Sequence, residues 1–513
     1  MKKVKNKQNS ATPPQQGARL RQRLILLSLL FIGGLLRFYR LDYWSFRLDE
    51  AQSIWQASHQ PPFIIEHQLT NVHLPLHNFL LRAWLLLGPI NESRIRFLAA
   101  FFGFLCLPLL YFLTRTLFDS QLGLLSTFIA VFSPFWVWQS RENRMYSLLT
   151  FLVLLSALAF VKMLRRNRGP WWAIYTLANA IGLFTHYFYL FFLLFQALFF
   201  FLFSYSPLAA PSEEKKKTFP LTLFFSLALS ALLSFLPLLP WAWAFVLNWG
   251  RNSKAPTLLL PSPYNLILSL FEFVFGFQPP LLNTIVLSLW PLLILLLFAF
   301  LQRRRPFSFW ITFPLLGFLL PLILTYSLSR LWQPIYLTRY LSVAAPFFFI
   351  TLAWFIRNFQ SPRGRFLLSL LMGIGLGLSL FNQQLNPASP LRENYRALTS
   401  YLQQNLQIQD LIALTPPYIQ YPFQYYYQDW GRWITVPYWE RQQGAIPPLD
   451  SEHLRATDDK IRRSGHRRLW LITSEELPGS KKARQYFDQH YYPLQRQQFS
   501  AFLWLHLYEI PAP

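Results

Sequence analysis

Long apolar stretches recur along the first three-quarters of this chain, and they restrict its possible folds more than any other feature. Candidate runs lie at about 22–40, 97–117, 121–138, 145–164, 171–187, 189–205, 219–247, 280–301, 307–328, 337–357 and 366–382. Each approaches or exceeds the roughly 20 residues with which a helix crosses a bilayer. Only 13% of the residues are charged while 53% are apolar, against about 25% charged in an ordinary soluble domain. The reading is a polytopic, mainly α-helical membrane protein with about eleven spans. A net charge of +25 would suggest a nucleic-acid partner in a soluble protein. Here Lys and Arg collect in short clusters between the apolar runs, where they set topology, and no nucleic-acid partner is expected. A single cysteine, Cys106, excludes an intramolecular disulfide and says nothing about compartment.

The basic segment 1–21 enters the first run without a small-residue cleavage site, so it reads as a retained cytoplasmic anchor. From that start the basic clusters at 162–168, 213–217, 303–305 and 357–365 all fall inside. The short run 74–88 is interrupted by His77 and Arg82. Counting it as a span would put those clusters outside, so it reads as an amphipathic helix on the membrane surface. The expected protein sits in the cell (inner or plasma) membrane, with a transmembrane body at 22–382 and a long first outer loop at 41–96. Residues 383–513 are polar and mixed. Strands are predicted at 410–415, 433–439, 467–476 and 502–510, and helices at 391–406 and 481–492, forming a small extracytoplasmic α/β domain. The stretch "GIGLG" (373–377) has no strand before it and reads as close helix packing, not a nucleotide loop.

The chain has 22 Asp+Glu against 47 Lys+Arg, yet "SFRLDEAQS" places Asp49 and Glu50 side by side just after the first run. On the expected topology they share the outer face with Glu142, Arg141, Arg144, His73, His77, Arg94, Arg96, His186 and Arg339. Local explanations exist for each. The acidic pair can cap a helix start, Arg141-Glu142-Arg144 can be an ion-pair cluster, and His186 and Arg339 can be interfacial anchors. His73 and His77 at i and i+4 would share a helix face, but nothing around them completes a metal-binding motif. Taken together, so many charges near a bilayer call for a function. A lipid-linked phosphate donor needs arginines that bind it with bidentate geometry. Group transfer needs a carboxylate to take the acceptor proton, and aromatic side chains, 18% of the chain, suit sugar rings. The chemistry expected is glycosyl transfer with a lipid phosphate as leaving group. A lipid or sugar transporter or flippase is the alternative; it predicts inverted repeats and broken helices, neither evident in the sequence.

The ordered series "RLDEAQS", "HLPLHNFLLRAWLLLGPINESRIRFLAAFFGFL", "FSPFWVWQSRENRMYSLLT", "LFTHYFYLFFLLFQ" and "QPIYLTRYLSVAAP" resembles the glycosyltransferase family 39 type of membrane enzyme. That group includes protein O-mannosyltransferases and the aminoarabinose transferases of lipid A. The resemblance covers roughly residues 20–360 and, weakly, the tail. It implies a GT-C fold with an extracytoplasmic site, a polyprenyl-phosphate sugar donor and inverting displacement onto a protein, glycan or lipid acceptor. It places Asp49 at the family's essential acid, with Glu50 its partner and Glu142 at a second acidic position; these three are the candidate catalytic residues. His73 precedes "LPL" where relatives have "PPL", a departure at Leu74. Arg96 falls on a basic position of the family pattern, and His186 and Tyr187 belong to "THYF". With Arg141, Arg144, Tyr146 and Arg339 these form the expected donor and substrate site. Arg96, Arg144 and Arg339 are expected to neutralise the leaving phosphate, so no cofactor is required and a divalent cation is compatible but dispensable.

Overall fold

The computed structural model describes residues 13–70, 73–165, 169–205, 221–248, 258–279, 308–428, 433–440, 446–476 and 479–511. The chain enters through helix α1 (Pro13–Phe38) and then folds its first connection into three short helices, α2 (Leu48–Ala57), α3 (Pro61–Thr70) and α4 (Leu76–Leu85). The body continues with α5 (Glu92–Leu117), α6 (Ser120–Phe132), α7 (Pro134–Ser140), α8 (Tyr146–Leu164), α9 (Trp171–Leu183) and α10 (Tyr189–Tyr205). It is completed by α11 (Leu221–Phe235), α12 (Leu239–Leu247), α13 (Pro263–Phe275), α14 (Thr312–Leu331), α15 (Ala345–Asn358) and α16 (Pro362–Leu385).

Among the described residues five helical stretches are long and apolar enough to cross a membrane: Glu92–Leu117, Tyr146–Leu164, Leu221–Leu247, Phe309–Leu331 and Pro362–Leu385. A sixth arises if α6 and α7, bent by 66°, form one span. The described residues therefore carry five or six of the expected spans by length and composition. The run at 280–301 lies outside the described residues, as do the basic clusters at 213–217 and 303–305. The run at 337–357 is divided between a 3-10 segment (Thr338–Val343) and α15. The run at 74–88 yields only the 10-residue α4, too short to span.

The bend between α6 and α7 follows from sequence. Pro134 disfavours helical backbone at Ser133, which sits at φ −60°, ψ 116° and caps α7 by accepting from Trp136 N–H at 3.2 Å. A broken helix, which the sequence did not reveal, is thus present. It brings the end of α7 against α5. A Cβ on Gly103 would lie 2.2 Å from Ser140 Oγ, so only glycine lets α7 come this close. Behind this contact aromatic side chains form much of the core: Phe195, Phe199, Phe313 and Phe347 meet largely edge to face, with Phe313 4.9 Å from both Phe195 and Phe199. The glycines of "GIGLG" lie in α16. A Cβ on Gly375 would come 2.9 Å from Phe275, whereas Gly377 meets nothing, so one of them serves close packing.

The tail is an α/β domain. Its strands are β1 (Asp410–Thr415), β2 (Trp433–Thr435), β3 (Arg468–Ser474), β4 (Tyr492–Gln498) and β5 (Leu503–Glu509), in the order β2-β1-β3-β5-β4. β1 runs parallel to β2 and β3, and β5 is antiparallel to β3 and β4. Its helices are α17 (Tyr395–Asn405), α18 (Gln420–Tyr426), α19 (Ser451–Arg463) and α20 (Ser480–His490). Two apolar clusters cover opposite faces of the sheet, which is why β1 is buried along its whole length and reads as a continuous apolar run. β4 escapes the sequence reading because it is a polar, exposed edge strand containing Pro493. The domain rests on the first connection. Phe46, Ala51, Ile54, Leu81, Ile95 and Tyr421 share one cluster. Tyr426 Oη accepts from Phe46 N–H and donates to Glu92, each at 2.7 Å.

Candidate active site

The first turn of α2 is held from three sides. Glu50, at the third helical position, is 1% exposed and accepts from Arg47 N–H at 3.1 Å, the inward half of a capping box. It also accepts from Asn143 N–H at 2.9 Å and from Arg96 through Nε at 2.8 Å and Nη2 at 2.6 Å. Arg96 uses its remaining donors on the carbonyls of Leu41, Trp44 and Ser45 at 2.8–3.0 Å. All five of its N–H groups are thereby committed, and none is left for a phosphate. The pair ties together α5, α2, the segment before α2 and the turn after α7.

Asp49, one residue earlier, has a different environment. Its Oδ2 accepts from Arg339 Nη1 at 2.7 Å. Arg144 donates to the Asp49 carbonyl at 3.3 Å and to Ser53 Oγ at 2.9 Å, so it lies along the same face of α2. Arg144 and Arg339 each keep a buried Nε–H without a partner, and Tyr146 Oη is buried and unpaired. Tyr340 lies 6.3 Å from Tyr146 and 5.5 Å from His186, with Tyr146 6.2 Å from His186. Burial works to raise the Asp49 carboxyl, but Arg339, Arg144 and Arg47 outweigh it and hold it well below the usual carboxylate range. Burial, reinforced by Arg144, lowers His73 to about 4. Burial, with His73 and Arg144, lowers His186 to about 3. Both rings are neutral, and His186 Nδ1 accepts from Phe188 N–H at 3.1 Å, which leaves its proton on Nε2.

A second group surrounds Arg47. Its guanidinium faces Glu142 at 3.5 Å, Glu476 at 3.7 Å and Glu393 at 3.8 Å. Two of these acids come from the tail segment, and Glu393 also accepts from Leu48 N–H at 3.2 Å. One cation for three carboxylates is too few. Burial pushes Glu142 up to about 7 and Glu393 up to about 8, against the pull of Arg47. Glu142 Oε2 is buried without a partner, and its residue lines a small cavity of about 50 Å3 with Arg47, Arg141, Trp44 and Gln384.

The structure thus brings Asp49, Arg144, Tyr146, His186 and Arg339 into one group, with His73 within its field. It assigns Glu50 and Arg96 to the clamp and Glu142 to the Arg47 group. Arg141 points to Arg40 O at 2.8 Å and Gln384 at 3.4 Å. Tyr187 packs on Phe245 at 6.3 Å. The expected shared helix face for His73 and His77 does not form, because α4 begins only at Leu76 and His73 precedes it. Among the described residues no group of three or more His, Cys, Asp or Glu could hold a metal. Sequence reasoning missed Arg47, Glu393 and Glu476. Arg47 was visible beside the acids in "RLDE", but nothing local marks its two partners from the tail.

Residues 72–241 match the family described as dolichyl-phosphate-mannose-protein mannosyltransferase. No curated protein sequence matches the chain. In structure it is similar to apo ArnT from Cupriavidus metallidurans, with 12% identity, a TM-score of 0.56 and coverage of 96% of this chain and 98% of that one. It is also similar to the same ArnT bound to undecaprenyl phosphate, at 11% identity, TM-score 0.50 and coverage of 96% and 98%. The oligosaccharyltransferase of Archaeoglobus fulgidus matches at 12% identity and TM-score 0.50, over 93% of this chain and 73% of that one. The chain therefore has the GT-C membrane fold that these proteins share, and within it residues 72–241 carry the pattern of the mannosyltransferase family.

Proposed function

We propose that this chain is an inverting membrane glycosyltransferase that moves a sugar from a polyprenyl phosphate to an acceptor on the outer face of the membrane. The observation carrying this reading is that Asp49 shares its site with Arg144 and Arg339, each of which has an unpartnered buried donor. Unused donors beside a carboxylate, on a fold shared with an undecaprenyl-phosphate-bound ArnT, suit an anionic leaving group next to a base. On this reading the transmembrane body at 22–382 faces the donor lipid. Segment 1–21 lies in the cytoplasm, and the tail domain covers the site from outside.

The steps follow from the charges. The donor phosphate competes with Asp49 for Arg339 and engages Arg144. As Arg339 turns to the phosphate, Asp49 loses the cation that most suppresses its basicity. It then takes the proton from the acceptor hydroxyl or amine. The acceptor forms its bond to the anomeric carbon while the carbon–oxygen bond to phosphate breaks. The electron pair leaves with the polyprenyl phosphate, which the two arginines stabilise. A single displacement inverts the anomeric centre. Glu50 and Arg96 act by holding α2, and His73, Tyr146 and His186 line the sugar. Glu142 supports a second assignment of the base, since its carboxyl lies near neutrality with one free oxygen.

The test is reconstitution of the full chain with a radiolabelled polyprenyl-phosphate sugar and envelope extracts as acceptor. Transfer of label to a new molecule is expected. Label that crosses the bilayer while remaining on its lipid would establish the flippase alternative and overturn the transfer reading.

A further inference from the structure

Across α2 from Asp49 lies a second cleft, of about 470 Å3, within the roughly 300–1,000 Å3 of small-molecule sites. Ala51, Ile54 and Trp55 of α2, with Ser58 just past its end, form its floor at i, i+3, i+4 and i+7 on one helix face. Asp49 and Ser53, which Arg144 reaches, occupy the other face. The opposite wall is α18 and its flanks, with Tyr421, Gln424, Tyr425 and Gln428, and Trp433 of β2 adds a further ring. The cleft therefore exists only because the tail is seated on the first connection.

Its rings are held in place. Trp55 packs on Tyr421 at 5.2 Å. Tyr425 donates to Ile90 O at 3.2 Å and meets Phe46 edge to face at 4.9 Å. α2 itself is fixed by the Glu50–Arg96 clamp, so the platform is ordered before any ligand arrives, which lowers the cost of binding. Among the described residues that line the cleft none is charged, in a protein of net charge +25. These described residues offer no counter-charge to an anion or a cation. What these residues offer is flat apolar ring faces with the exposed Gln428 carboxamide among them. A pyranose presents the same two surfaces, a C–H face and a rim of neutral hydroxyls. A peptide strand would need an open backbone edge, and β2 provides only Trp433–Thr435.

We propose that this cleft binds a neutral saccharide segment. The assignment stands on the lining chemistry and goes beyond the transfer reading. If the saccharide belongs to the acceptor, the cleft holds it at a distance from the reacting end, where remote binding energy can be used in the chemical step.

The full chain in nanodiscs is to be titrated with maltohexaose, cellohexaose, mannohexaose and chitohexaose, with binding read by saturation-transfer NMR and tryptophan fluorescence. At least one is expected to bind with a Kd of about 1 mM or tighter. Trp55→Ala is expected to weaken it roughly tenfold, by loss of a ring platform. Gln428→Ala, at an exposed position, should weaken it several-fold. Binding of undecaprenyl phosphate, measured in parallel, should be unchanged in both variants. That measurement separates failure of this proposal from failure of the transferase assignment. The proposal is overturned if no member of the panel binds, if neither variant weakens binding, or if an acidic oligosaccharide or a peptide takes the cleft in competition with them.

Discussion

Asp49 and Arg339 stand 290 residues apart in the chain and meet at 2.7 Å. The contact joins the start of α2 to the 3-10 segment before α15, and it suppresses the basicity of the one and occupies a donor of the other. Asp49→Asn keeps the size of the side chain and removes both the base and the competitor for Arg339. Transfer should fall about 10²–10⁴-fold, the usual contribution of a general base. Affinity for undecaprenyl phosphate should stay the same or rise, since Arg339 is released. Arg339→Ala should lower that affinity about 10- to 100-fold, the worth of one charge-assisted hydrogen bond. Direct lipid-binding measurements on both variants check the pair. Equal weakening by both would mean that Asp49 holds the donor and is not its rival.

Glu50 and Arg96 behave differently under substitution. Both are buried, at 1% and 4% exposure, and every donor of Arg96 is used within the protein. Removing one partner leaves an uncompensated buried charge, at a cost of about 3–5 kcal/mol. Arg96→Met and Glu50→Gln should therefore lower thermal stability in detergent and reduce yield. The molecules that do fold should bind undecaprenyl phosphate with unaltered affinity. A clear loss of lipid affinity in folded Arg96→Met would return Arg96 to the phosphate site.

How far the sequence discloses this arrangement depends on distance along the chain. The helical body and the tail with its strands at 410–415 and 467–476 follow from the apolar pattern, because burial of one face or both is written locally, while the short 74–88 is set apart from the spans by His77, Arg82 and the placement of the basic clusters. Span number does not follow as well. Pro134 and the break before Ala345 cut runs that composition alone joins. Asp49 is legible because acids are scarce where it lies. The division of labour between Asp49 and Glu50 is not, since adjacent helical positions point about 100° apart and only the packed structure shows which one meets Arg96. Glu393 and Glu476 are invisible as site residues for the same reason: Arg47 is their partner only once the tail has docked.

That docking carries a pH dependence. Burial raises Glu393 to about 8 from an ordinary 4.5 or so, against Arg47. In the folded protein it holds its proton more tightly than in the unfolded chain, so its contribution to stability is fully present below about pH 4.5 and is lost as pH rises through about 8. Glu142, raised to about 7, acts in the same direction. His73 and His186, lowered to about 4 and about 3, act oppositely, losing stability as pH falls below about 6.5. The comparison must therefore be made between variants at each pH. Glu393→Gln should match the unmodified protein in thermal stability near pH 4.5 and exceed it above neutrality. A difference that grows instead toward acid would mean that Glu393 is ionised in the folded state.

The two candidate bases, Asp49 and Glu142, differ in how their ionisation depends on pH. A base works only when deprotonated, and the pH profile of kcat/KM reports its ionisation in the free enzyme. Asp49 is held below the usual carboxylate range by its arginines, so it remains ionised throughout the pH range in which the protein stays folded. Glu142 is half-protonated near 7. If Asp49 is the base, kcat/KM at saturating acceptor should show no acid limb between about pH 5.5 and 8. Glu142→Gln, which keeps the contact with Arg47 as a neutral hydrogen bond, should change it no more than a few-fold. If Glu142 is the base, kcat/KM should fall by about tenfold per pH unit below 7, and Glu142→Gln should cost about 10²–10⁴-fold and remove the limb. Arg47→Gln adds an internal control. Loss of its cation raises Glu142 further, so any limb belonging to Glu142 moves to higher pH, whereas one belonging to another group, whose chief cation is not Arg47, moves little. A limb near 7 that shifts upward in Arg47→Gln would transfer the catalytic assignment from Asp49 to Glu142.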